Sequence, residues 1–122
     1  MGMAIATLKR RSEFLRLRGG GRASTSAFVV EGKARTERTE AGPRFGFTVT
    51  KKIGNAVVRN RIRRRLKAAI SGLTAGRART GFDYVIIARE AALERPFAQL
   101  KTDLEGAFER VHDNRPKQPR RS

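Results

Sequence analysis

Hydrophobic residues recur along this chain with two periods, and the changes of period mark the elements. Over residues 27–35 they alternate, with Phe28 and Val30 on one face and Val29, Glu31 and Lys33 on the other, which predicts a strand. Residues 44–52 alternate again: Phe45, Phe47 and Val49 share one face, and Gly46, Thr48, Thr50 and Lys52 the other. The polar segment 36–43, which ends in Gly42-Pro43, predicts a hairpin between those two strands. Residues 22–26 form a polar approach that suits a short edge strand, and 82–89 is almost wholly apolar from Tyr84, as in an inner strand covered on both faces.

Helical spacing appears in three places. Val58, Ile62, Leu66, Ala69 and Ile70 make one apolar stripe behind Gly54 and the good N-cap Asn55, so a helix should run from there to Ser71-Gly72. Phe97, Leu100, Leu104, Phe108 and Val111 follow Pro96, predicting a last helix to about His112. A shorter helix is expected over 13–18, with Ser12 as its cap and Gly19-Gly20-Gly21 as its stop. The order helix, two or three strands, long helix, strand, helix predicts an α+β fold: a two-layer sandwich with about three helices on a mainly antiparallel four-stranded sheet. The 122 residues suit one domain, with a core over about 7–112 and a basic, disordered tail over 113–122 that holds Pro116 and Pro119.

Charge changes this picture most. The formal net charge of +17 calls for a polyanionic partner, nucleic acid first and an anionic membrane surface second. No run reaches the roughly 18 apolar residues of a membrane span, and the N-terminus is too weakly apolar for a secretory signal, so a cytoplasmic protein is expected. The absence of cysteine excludes disulfides and thiolate metal sites. The excess is concentrated: residues 51–67 carry Lys51, Lys52, Arg59, Arg61, Arg63, Arg64, Arg65 and Lys67 with no acid among them. On a helix, Arg59, Arg63, Arg64 and Lys67 fall opposite the apolar stripe with Asn60, and Arg61 lies at its border. Arg65 lands almost on the stripe and must either snorkel or meet something other than a dry core. A solvated face would be the plainest explanation, but solvated helices usually mix signs because like charges repel at this spacing. Arginine also suits phosphate, since its planar fork can bind two oxygens.

Catalytic constellations are missing. His112, the one histidine, sits at a helix end and is a poor candidate for a buried general base. No Ser-His-acid set and no inward pair of carboxylates with metal-ligand spacing can be assembled, and the glycines at 19–21 lack the context of a phosphate loop. Taken alone, the residues describe a binding protein.

The stretch KKIGNAVVRNRIRRRLK resembles the signature of the protein subunit of bacterial ribonuclease P, over about seventeen contiguous positions built on the core Arg59-Asn60-Arg61. The resemblance implies a left-handed β-α-β crossover through the long helix, against the general preference. It implies an endoribonuclease whose catalyst is a large RNA using Mg²⁺, and which removes the 5′ leader of precursor tRNA. This chain would be the small partner, one protein per RNA. By the same resemblance Lys51, Lys52, Arg59, Asn60, Arg61, Arg63, Arg64 and Lys67 meet the ribonuclease P RNA, while Phe14, Arg18, Val29, Thr48, Thr50 and Arg89 line a cleft for the leader. On the residues alone, Phe14 reads more readily as a core aromatic, and it is the resemblance that reverses this. Arg18 and Glu31 stand where the family often has aromatics, which weakens stacking there. Two other readings remain: a small basic ribosomal RNA-binding protein, and a DNA-binding protein that places the long helix in the major groove. Against the latter, basic residues surround much of the helix and no short preceding helix orients it.

Overall fold

A computed structural model describes residues 6–7, 20–35, 42–73 and 78–112. In chain order its elements are β1 (Ala6–Thr7), β2 (Gly21–Ser24), β3 (Phe28–Ala34), β4 (Arg44–Thr48), α1 (Ala56–Ser71), β5 (Phe82–Ala88), a single 3₁₀ turn (Glu90–Leu93) and α2 (Phe97–His112). The expected helix over 13–18, with Phe14 and Arg18, lies outside the described residues, as does the tail.

The strands form one sheet in the order β1-β4-β5-β3-β2. Two pairs are parallel, β1–β4 and β4–β5, and two are antiparallel, β2–β3 and β3–β5. The fold is therefore α+β as expected, but the sheet is mixed rather than mainly antiparallel. It has four strands of four to seven residues plus the two-residue β1, and two α-helices among the described residues. The hairpin expected across 36–43 does not form, because β5 lies between β3 and β4. Its composition explains the insertion: Tyr84, Val85 and Ile86 are all buried, so β5 needs cover on both faces and a neighbour on both edges. The hairpin is formed instead by β2 and β3. β4 and β5 run parallel as neighbours, joined through α1, as such pairs require.

Both helices pack on one sheet face, where Phe28, Val30, Phe45, Tyr84 and Ile86 meet Ile62, Leu66 and Ile70 of α1 and Leu100, Leu104, Phe108 and Val111 of α2. Each such Leu, Ile or Phe removed from water contributes about 1.5–3 kcal/mol. A Cβ at Gly32 would stand 2.7 Å from the Tyr84 ring and 2.9 Å from Val111, so glycine there lets the ring and α2 close on β3. Tyr84 is the hub of the ring cluster, stacked on Phe45 at 5.5 Å and edge-on to Phe108 at 4.8 Å. Its hydroxyl accepts from the Arg79 N–H at 2.9 Å and lies 2.5 Å from His112 Nε2. Burial pushes the phenol up to about 12. Burial, and then the nearby Arg79 charge, lower the His112 pKa. Both shifts favour a neutral pair in which the phenol donates to the imidazole.

Candidate nucleic-acid interface

The helix that carries most of the candidate residues begins and ends where its caps dictate. Asn55 is extended and its side chain accepts from the Val58 N–H at 3.0 Å, while the Gly72 N–H closes back on Ala69 and Ile70. Ile62, Leu66, Ala69 and Ile70 are buried and Val58 is half-buried, so the predicted stripe faces the sheet. The opposite side is cationic. Arg61, Arg64 and Lys67 are exposed, and Arg59 and Arg63 are half-buried. Arg59 donates from Nε to the Gly54 carbonyl at 3.1 Å, and Arg63 donates to Asn60 Oδ1 at 2.9 Å. Lys67 places its ammonium 5.8 Å from the centre of the Phe47 ring. None of the described ion pairs involves these residues.

Arg65 is the exception within the run. It donates from Nη1 to the carbonyls of Ala92 and Leu93, at 2.6 and 3.0 Å, and from Nη2 to that of Arg95 at 2.5 Å. The guanidinium thus satisfies the carbonyls at the end of the 3₁₀ turn and ties α1 to the entry of α2. Its place near the apolar stripe was the signal that it serves the fold.

Lys51 and Lys52 are exposed, but β4 ends at Thr48, so both lie in the turn before α1 rather than on a strand end. Thr50 shares that turn, accepting from the Ile53 N–H at 3.1 Å, and is exposed off the sheet, not on its face.

The sheet face away from the helices aligns Ser24, Val29, Ile87 and Thr48 as register partners across β2, β3, β5 and β4. Val29 is 3 % exposed and forms floor, Thr48 and Ile87 are half-buried, and Ser24 is exposed. Glu31 shares this face and pairs with Arg22, its register partner. At the far end of the face Asp83 is buried, taking a bidentate pair from Arg44 (Nε to Oδ1 at 2.9 Å, Nη2 to Oδ2 at 2.8 Å) and a bond from Arg35 at 3.2 Å. That cluster joins β3, β4 and β5. Arg89, exposed just after β5, donates to the Thr25 carbonyl at 2.6 Å and to Ser24 Oγ at 3.1 Å, and Arg110 of α2 donates to the Ser24 carbonyl at 3.1 Å. Ser24 and Arg110 carry no sequence motif, and only the fold brings them to Arg89.

No group of three or more His, Asp or Glu that could hold a metal ion occurs among the described residues. Asp83, Asp103 and Glu31 are each engaged by arginine. This chain's described residues do not fit a Mg²⁺ site. No described helix is long and apolar enough to cross a membrane.

Comparison with known proteins is consistent throughout. Residues 4–112 match the family model Ribonuclease P. The chain is 49% identical over 106 residues to the ribonuclease P protein component of Brucella suis, covering 82% of this chain and 75% of that one. It is 38% identical over 113 residues to the component of Ruegeria pomeroyi, covering 92% and 90%. Among solved structures, the Staphylococcus aureus RNase P protein superposes with a TM-score of 0.68 at 26% identity, covering 87% of this chain and 94% of that one. The Thermotoga maritima RNase P protein has the same fold, with a TM-score of 0.71 at 24% identity over 86% and 96% of the two chains. With the arginine-rich helix α1 at its centre, this chain belongs to the ribonuclease P protein family of bacteria.

Proposed function

We propose that the chain is the protein component of ribonuclease P, acting with a catalytic RNA to remove the 5′ leader from precursor tRNA. The observation that carries this reading is the face of α1, where Arg61, Arg64 and Lys67 stand exposed with no carboxylate partner among the described residues. Five arginines and a lysine on one 16-residue helix repel one another, and RNA phosphates would relieve that repulsion. Arg59, Asn60, Arg61, Arg63, Arg64 and Lys67, with Lys51 and Lys52 in the preceding turn, are assigned to the catalytic RNA. Arg65 belongs to the fold. The leader is assigned to the opposite sheet face, with Thr48 at one side and Thr50 in the turn beyond it, Val29 in the floor and Arg89 at the other side, together with Phe14 and Arg18. The crossover from β4 through α1 to β5 is read as left-handed, one protein serves each RNA, and the complex works in the cytoplasm.

Phosphodiester hydrolysis needs an activated water and stabilisation of the leaving oxygen. By the family reading the RNA and its Mg²⁺ supply both. This chain's part is to neutralise phosphates where the RNA strands converge and to hold the leader away from them. Reconstitution with a bacterial ribonuclease P RNA and precursor tRNA at limiting Mg²⁺ tests the proposal. The protein should cleave nothing alone and should stimulate the RNA. Cleavage by rigorously RNA-free protein would overturn it, and co-purification with ribosomal RNA in place of a single structured RNA would favour a ribosomal role.

A further inference from the structure

We infer that the Ser24–Thr25 turn is a second phosphate seat, where Arg89 and Arg110 together hold a backbone phosphate of the leader upstream of the part beside Thr48. The inference rests on the reading of the sheet face as the leader surface.

The turn is rigid. The Thr25 N–H donates to the Phe28 carbonyl at 2.8 Å, and Thr25 Oγ1 accepts from the Ala27 and Phe28 N–H groups at 3.2 and 3.1 Å. Two guanidinium groups are fastened to this turn from different elements. Arg89 has its own N–H bound to the Ala27 carbonyl at 2.9 Å, and its side chain reaches past β3 to Ser24 and Thr25. Arg110 comes from the last turn of α2 to the Ser24 carbonyl. Both arginines are exposed, and every described acceptor is a neutral oxygen. The acid on the same face, Glu31, is engaged by Arg22. Two positive charges are therefore held on one residue's oxygens with no described carboxylate between them, and each fork retains N–H donors beyond those bonds. Such an arrangement costs repulsion in the free protein, which a backbone phosphodiester relieves when its two non-bridging oxygens each meet one of the forks.

Its location separates it from α1. β2 is an edge strand, three strand spacings from β4, or about 14 Å at 4.8 Å per spacing. The α1 cations stand on the β4 side, where Lys67 lies over Phe47. An RNA strand that starts beside Thr48 reaches the turn only after crossing the sheet, so the seat should be felt only by longer leaders.

The test compares holoenzyme affinity for precursor tRNAs with one-nucleotide and eight-nucleotide leaders, using wild type, Arg110→Gln, Arg110→Lys and Ser24→Ala, each with an unchanged melting curve. Arg110→Gln should lose several-fold in affinity for the long leader alone, with a log–log salt slope shallower by about 0.7 for the single-strand phosphate released. Arg110→Lys should recover the slope, and Ser24→Ala should show a smaller loss with the same length dependence. Equal loss at both lengths, or no loss at either, overturns the seat. So does a loss that appears in binding the catalytic RNA without substrate. If wild type itself ignores leader length, the leader surface falls and the seat with it. If wild type responds to length and Arg110→Gln matches it throughout, the seat alone falls.

Discussion

α1 and α2 are each 16 residues long, pack on the same sheet face and bury four or five residues apiece, yet their outer surfaces follow opposite rules. On α2 the charges mix: Lys101, Asp103, Glu105, Glu109 and Arg110, with Asp103 taking the Arg95 guanidinium at 2.6 Å. On α1 there is no acid at all. The inner faces are interchangeable in kind, so packing cannot explain the difference. α2 mixes both signs as an ordinary solvated helix does, and of its outward charges only Arg110 is offered to another molecule, whereas the outer face of α1 is offered as a whole. Arg65 sharpens the contrast, since it has the residue type of the RNA-facing set and the bonding of a structural cap.

The largest effect should come from removing that cap. Arg65→Ala strands three carbonyls at the α1–α2 junction, and hydrogen bonds to a charged group contribute about 1.5–3 kcal/mol each before the carbonyls rehydrate. A net loss of about 2 kcal/mol is expected, lowering Tm by roughly 10 °C in a domain of this size. RNA affinity measured well below the transition should barely change. A mutant that melts like wild type but binds RNA poorly would place Arg65 with its neighbours. Next in size is the reverse case. Arg61→Ala and Arg64→Ala should each weaken binding to the ribonuclease P RNA and flatten its salt slope by roughly 0.7–0.9 per phosphate contact. Their melting temperatures should hold or rise slightly, because like-charge repulsion on the helix is relieved. Parallel salt plots with equal intercepts would make these arginines mere solvated surface.

Elements with a strong local signal were legible in the sequence. Asn55 and Gly72 bound α1 because capping is local chemistry, and the inner position of β5 followed from its apolar run. Partners distant along the chain were not legible. Segment 36–43 has hairpin composition, but whether β3 pairs with β4 or admits β5 depends on burial summed over the whole sheet. Thr50 and Lys52 continued an alternating pattern past Thr48, and the turn closed by Ile53 on Thr50 ended the strand before that pattern did. Of the interface, the cationic run was visible as composition, and Arg65 as a misplaced charge. Ser24 and Arg110, 86 residues apart, meet only in the fold.

The two helices should also differ in their response to pH. The outward charges of α1 are all arginine or lysine, with no histidine or carboxylate among them. The last turn of α2 rests on the neutral Tyr84–His112 pair. Because the folded His112 pKa lies below its unfolded value of about 6.5, the unfolded chain binds the proton more readily. Stability is therefore full above about pH 6.5, declines as pH falls from there towards the folded pKa, and levels off below it. Denaturant midpoints between pH 8 and 5 should show this decline, and His112→Phe should flatten it. A slope that survives the substitution would assign the titration to carboxylates.

The smallest effect belongs to Asn60, the uncharged member of the cationic face. Its Oδ1 accepts from Arg63 Nη1, one turn along the helix, and both side chains lie towards solvent. A pair of this kind at i,i+3 stabilises a helix by about 0.2–0.5 kcal/mol, so Asn60→Ala should shift Tm by only a degree or two. Its bearing on RNA binding is more informative. Asn60 carries no charge and releases no counterion, so the salt slope should equal that of wild type. Affinity should fall less than threefold, since Arg63 keeps its charge and loses only a fixed direction. Arg63→Ala, by contrast, should flatten the slope as Arg64→Ala does. The double mutant Asn60→Ala/Arg63→Ala separates the two contributions. If Asn60 acts by aiming Arg63, its loss costs nothing further once Arg63 is gone. If the two losses add, or if Asn60→Ala alone costs tenfold, the amide makes its own contact with RNA, and the outer face of α1 reads hydrogen-bonding groups as well as phosphate charge.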